Sequence, residues 1–195
     1  MAHRAGLDTR VITQAAADLV DAEGLDRLSL STLAARLGVR PPSLYNHIAG
    51  LEMLRRELAL MAARDLVHRL TRAAVGRSGA AGMSAVADAY LVYAREHPGL
   101  YAALQRAPDP DDHELTAAAE EILAVLRAVL APYLLSEEDT VHAIRTLRAL
   151  ADGFTSLQAA GGFGIPISVE ESYRFAIRML TEGLERQRDG TPQGR

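Results

Sequence analysis

Residues 31–48 read STLAARLGVRPPSLYNHI, and the fold turns on how this stretch is read. Ser31 is placed to cap a helix whose apolar residues Leu33, Ala34 and Leu37 recur at three- and four-residue spacing. Gly38 supplies the left-handed conformation that ends it. Val39 fills a tight turn, Pro42 suits a first helical position, and Leu44 and Ile48, four residues apart, form the buried stripe of a second short helix. Arg40, Pro41, Ser43, Tyr45, Asn46 and His47 are left pointing outward. Two short helices joined at a glycine, the second with a polar and aromatic outer face, describe a helix-turn-helix whose second helix can enter a major groove. An ordinary helical hairpin inside an all-α core is the competing reading, but it would not need so polar a face in so few residues.

The composition around this stretch favours helices. Of 195 residues, 49% are apolar and only 5% aromatic, with no Trp, so Leu, Ala and Val must do most of the packing. Leu, Ala, Arg and Glu are good helix formers and strand-like alternation is absent, so an all-α protein is expected. The absence of Cys excludes disulfides, thiolate metal sites and a cysteine nucleophile. No apolar run reaches the ~20 residues that span a bilayer, and the N-terminus has no apolar signal core, so a cytoplasmic protein with no membrane partner is expected. Net charge is −4, which by itself argues against a phosphate-binding surface. Residues 1–56, however, hold seven Arg against six acids, and the remainder fourteen Arg against nineteen acids. A nearly neutral head would have to rely on where Arg4, Arg10 and Arg40 sit, with Arg4 on a short N-terminal arm.

Residues 9–58, TRVITQAAADLVDAEGLDRLSLSTLAARLGVRPPSLYNHIAGLEMLRREL, resemble the N-terminal domain of the TetR family of transcriptional regulators. The resemblance rests on a first helix ending in Ala22-Glu23-Gly24, the LSLSTLAARLGV run, and SLYNHI with its Tyr45-x-His47 pair ahead of a Leu-rich helix. It implies a homodimeric repressor that binds double-stranded DNA at a palindromic operator and is released by a small-molecule effector, with no enzymatic activity and no cofactor. Carried over by position, the residues that would touch DNA are Ser31, Thr32, Arg40, Pro41, Ser43, Tyr45, Asn46 and His47. Arg40 and Asn46 suit bidentate bonds to base edges, Pro41 suits a thymine methyl, and Ser43, Tyr45 and His47 suit phosphate oxygens. Family members commonly start the fourth helix with Lys, and Leu51 stands here. That departure favours the alternative of a helical binding protein that has lost DNA reading, or shifts the phosphate contact to the amides of Gly50 and Leu51.

The rest of the chain divides by its breakers. The domains expected are a helix-turn-helix domain over 1–50, a connector helix over 51–75, an effector-binding and dimerisation domain over 76–188, and a disordered tail over 189–195. Gly76–Gly82, GRSGAAG, reads as the clearest break in the chain, and a helix from about Met83 is stopped by His97-Pro98-Gly99. Ser136 and Ser168 open two long helices, about 137–160 and 168–187. These resemble the pair that forms the family's dimer interface, with Leu147, Phe154, Tyr173, Ile177, Leu180 and Leu184 as candidates. Leu147–Ser168 further resembles a subgroup with a Trp-His-Gly signature, of which Ala151-Asp152-Gly153 keeps only the Gly. Tyr90, Tyr93, His97, Tyr101, Phe154 and Gln158 are aromatic or polar-tipped on Ala- and Leu-rich helices and are candidates for an effector pocket. The six His show no i, i+3 or i, i+4 pairing, so no metal site is expected. Neither is there a nucleophile-base-orienter set.

Overall fold

The computed structural model describes residues 7–190, all of them in helices and the turns that join them, with no strand among them. Arg4 and residues 191–195 lie outside the described residues. The helices are α1 (Thr9–Glu23), α2 (Leu30–Leu37), α3 (Pro41–Leu44), α4 (Leu51–Ala74), α5 (Gly79–Glu96), α6 (Pro98–Ala103), α7 (His113–Leu130), α8 (Glu137–Ala159) and α9 (Val169–Arg188). Short 3₁₀ turns cover Leu25–Arg27 and Ala131–Tyr133.

Contacts group the chain into two units that do not follow its linear order. One takes the chain up to Asp65 together with Glu96–Ala118, and the other takes Leu66–Arg95 with the chain from Ala119 onward. The division therefore falls within α4, and α6 belongs with the N-terminal helices. In the first unit, Ile12, Ala16, Leu19 and Val20 of α1 are buried with Leu28, Leu33, Leu44, Ile48, Leu54 and Leu58. Burial of this kind is what makes such short helices stable, since neither α2 nor α3 approaches the length at which an isolated helix holds.

α6 is anchored to α1 through a borrowed cap. His97, the residue before α6, gives no side-chain cap. The carboxylate of Asp21 on α1 takes over that role, with Oδ1 accepting from the N–H groups of Gly99 at 2.9 Å and Leu100 at 3.0 Å. Its Oδ2 lies 2.8 Å from Nδ1 of His97. Gly99 permits the close approach, because a Cβ there would lie 2.2 Å from the carbonyl carbon and oxygen of Val20.

A second anchor ties α4 to the start of α7. Arg56 donates from Nε and Nη2 to the two oxygens of Asp112, and Nη2 also donates to Glu114, which accepts from Arg64 as well. The hydrogen bonds from Arg56 hold the Asp112 and Glu114 carboxyls below their ordinary values, and the same bonds hold the guanidinium above its own. A carboxyl whose folded value is depressed contributes stability that is complete above its unfolded value and is lost as pH falls through the folded one. Between neutral pH and pH below about 4, urea unfolding midpoints are therefore expected to fall more for the wild type than for Arg56→Met. Parallel curves for the two proteins would show that this network does not contribute.

In the second unit the break is shorter than the sequence suggested. α5 begins at Gly79, so only Val75–Ser78 separate it from α4. Gly82 is buried in that helix against α7, where a Cβ would come within 3.2 Å of Val129. The small residue at the end of that stretch lets two helices pack closely. Pro98 also starts a helix, at its first position, as well as marking the end of α5. The expected starts of α8 and α9 are present, with Ser136 accepting from the N–H of Asp139 at 3.0 Å and Ser168 from that of Glu171 at 3.2 Å. Asp189 and Gly190 are described and close the end of α9.

Candidate nucleic-acid interface

The N-terminal cap of α2 is Ser29, two residues earlier than Ser31. Its hydroxyl accepts from the N–H of Thr32, and the Thr32 hydroxyl accepts from the N–H of Ser29, each at 3.1 Å. Ser31 is thereby left exposed with its side chain free for another partner, whereas the hydroxyl of Thr32 is engaged by the cap. α2 ends at Gly38 in the left-handed region, φ +67°, and Val39 donates to the carbonyl of Ala34 at 3.0 Å.

α3 starts one residue earlier than the sequence suggested and is far shorter. Arg40 is its N-cap position, Pro41 its first residue, and regular helix ends at Leu44, after which residues 45–47 form turns. The N–H of Ile48 still donates to the carbonyl of Leu44 at 3.0 Å, so the segment keeps a helical course to its second anchor. Leu44 is fully buried and Ile48 nearly so. From α1, the Thr9 hydroxyl donates to the carbonyl of His47 at 3.1 Å and ties down the far end.

On this support, Arg40, Pro41, Tyr45, Asn46 and His47 are exposed and Ser43 is half-buried. Tyr45 is 61% exposed, so most of its side chain faces solvent. The side chains of Arg40, Tyr45, Asn46 and His47 make no hydrogen bond or ion pair with any described residue. Arg36 is a basic residue that the motif reading passed over. It is exposed and unpaired in the same sense, four residues after Thr32 and so on the same face of α2. Its signal in the sequence was that spacing alone.

At the start of α4, Leu51 is half-buried and Glu52 pairs with Arg55 at 2.8 Å, so the first turn carries no unpaired acid. Among the described residues no group of three or more His, Asp or Glu is arranged to hold a metal ion, and no helix is long and apolar enough to cross a membrane.

The candidates for an effector pocket divide between the two units. His97 and Tyr101 belong to the first, where His97 is engaged by Asp21, while Tyr90, Tyr93, Phe154 and Gln158 belong to the second. Tyr90, Tyr93 and Tyr101 are buried, Phe154 is half-buried, and Gln158 is exposed. In the second unit, Arg69 lies over the Tyr93 ring at 5.2 Å, and Phe154 packs edge-on to Tyr173 at 5.3 Å and stacks with Phe163 at 5.6 Å. The hydroxyl of Tyr173 donates to the carbonyl of Ala87 at 3.2 Å.

The candidates for a dimer interface turn out to face mostly inward. Leu147, Tyr173, Ile177 and Leu184 are buried in the chain's own core, and Phe154 and Leu180 are half-buried. The large apolar side chains that α8 and α9 leave exposed are Leu157, Phe175 and Met179. A stripe wide enough to serve both core and partner cannot be divided between them from sequence, because residues one position apart on a helix differ by about 100° in direction.

A family model described as the C-terminal domain of tetracyclin repressor-like proteins matches residues 83–180. An uncharacterized HTH-type transcriptional regulator of Bacillus subtilis, YobS, is 37% identical over 186 residues, covering 94% of this chain and 96% of its own. A second, Rv0681 of Mycobacterium tuberculosis, is 35% identical over 188 residues, covering 96% and 86%. Among solved structures, a variant of TetR from Acinetobacter baumannii AYE in complex with minocycline aligns with a TM-score of 0.68 at 22% identity, covering 93% of this chain and 98% of that one.

Proposed function

Because the chain belongs to the TetR family of DNA-binding transcriptional regulators, we propose that it is a homodimeric repressor whose paired Arg40–His47 segments read a palindromic operator until a small molecule releases them. The observation that carries this reading is the cluster of exposed, internally unpaired side chains held over Leu44 and Ile48. An unpaired Arg beside Pro at the start of a helix suits the bidentate edge of a guanine, and Asn46 that of an adenine. Tyr45, His47, Ser31 and Arg36 suit phosphates on either side. One such short segment reads too few base pairs for useful specificity, so two copies related by two-fold symmetry are required. Leu157, Phe175 and Met179 supply an apolar surface for that pairing. The effector site belongs to the second unit, on the side of Tyr90, Tyr93 and Phe154.

Fluorescence anisotropy on a labelled duplex from upstream of the coding region, at stated salt, tests the reading. Arg40→Ala is expected to reduce discrimination at one base position by about 1–3 kcal/mol. Tyr45→Phe is expected to weaken binding to all duplexes alike, by about 1.5–3 kcal/mol if its hydroxyl donates to a phosphate. Unchanged binding in both variants would refute this placement of the reading surface.

A further inference from the structure

Arg95, near the end of α5 in the second unit, uses only part of its guanidinium. Nη1 donates to Oε1 of Glu170 at the start of α9. Nε and Nη2 are out of contact with solvent and have no acceptor among the described residues. These two donors form the edge of the guanidinium whose N–H bonds run parallel, the edge that takes a carboxylate through two bonds. Arg56 of the same chain uses that edge in this way, with Nε and Nη2 on the two oxygens of Asp112. Arg95 presents the same edge with nothing on it.

Leaving charged donors buried and unsatisfied is costly, so an acceptor that reached them would be held strongly. Glu170 does not satisfy the edge. Its own helix-start N–H, the Ser168 hydroxyl and Arg95 hold its carboxyl below the ordinary range, so it stays ionised and keeps Nη1 occupied. An aromatic cluster stands on the same face of α9. Tyr173 lies one turn after Glu170 on α9, and its ring meets Phe154, which stacks on Phe163.

We infer that the Nε and Nη2 edge of Arg95 anchors the carboxylate of an effector whose apolar body lies against the Phe154–Tyr173 aromatic cluster. The inference rests on the proposed effector site in the second unit and adds the chemical class of its ligand. A monoanion fits better than a phosphate dianion, because stripping a doubly charged group of water to reach donors closed to solvent costs more.

Benzoate and benzyl alcohol, similar in size and different in charge, are the probes. The full-length protein is labelled with ¹⁵N-arginine, and the Nε–H signal of Arg95 is identified by its loss in Arg95→Lys. Benzoate is expected to shift that signal and to bind, by calorimetry, about tenfold more tightly than benzyl alcohol. Arg95→Lys keeps the charge without the fork and should bring the two affinities to within about threefold. A thermal melt of each variant confirms that it is folded, and Arg95→Gln serves if the Lys variant is not.

Equal binding of the two probes, binding of neither at millimolar concentration, or a preference unchanged in the variants would overturn the anchor. Release of DNA is read separately by anisotropy. Benzoate held by Arg95 without release would sink the release mechanism and leave the anchor standing. Release by a neutral apolar molecule, with the Arg95 signal unmoved by benzoate, would sink the anchor alone.

Discussion

Gly99→Ala is expected to destabilise the first unit by about 3 kcal/mol or more, at the upper end of what overpacking usually does. A Cβ at this position would lie 2.2 Å from the carbonyl carbon and oxygen of Val20 and 2.7 Å from the amide nitrogen of Asp21. All three are backbone atoms, so no change of rotamer relieves the clash, and α6 would have to withdraw from α1. Withdrawal breaks the bonds from Gly99 and Leu100 to Asp21, and each buried donor left unpaired adds about 1–3 kcal/mol. Gly153→Ala is the matched control. It lies within α8, has nothing within 4 Å of its added Cβ, and should gain up to about 1 kcal/mol from helix propensity. Urea unfolding of both variants decides the matter. A Gly99→Ala midpoint equal to the wild type would mean that α6 is not held as described.

The second large effect is expected at Leu44. α3 has four residues and cannot persist by its own hydrogen bonds, since isolated helices shorter than ~12–15 residues are marginal in water. It stands because Leu44, fully buried, and Ile48, 3% exposed, fix it to the first unit. Leu44→Ala should therefore destabilise by about 2–5 kcal/mol. It should also weaken DNA binding without regard to sequence, because the whole reading segment loses its anchor. Leu44→Met conserves volume and should lose less than about 1.5 kcal/mol. If Leu44→Ala keeps operator affinity while its urea midpoint drops, the segment is held by something other than this side chain.

The parts of the fold that the sequence disclosed are those decided within one or two helical turns. Gly38 ends α2 because its left-handed conformation is a property of that residue alone, and Ser136 and Ser168 cap helices through N–H groups three residues away. Leu44 and Ile48 could be matched to one buried face by spacing. The exposed cluster from Arg40 to His47 was legible for the same reason, as what remained once the buried positions were taken out. Even here a local competitor shifted a boundary, since both Ser29 and Ser31 qualify as caps and only Ser29 is answered by Thr32 three residues later.

By itself, then, the sequence determined the all-helical class, the helix-turn-helix and its outward side chains, because each is set by neighbours close along the chain. Tertiary structure alone decided that α6 joins the N-terminal unit through Asp21 and Gly99, and that Gly82 packs two helices together. It also decided that Leu147, Tyr173, Ile177 and Leu184 serve the core, and that one edge of Arg95 goes unanswered. Each of these depends on groups tens of residues apart, and the pattern of a single helix carries no record of what another helix brings against it.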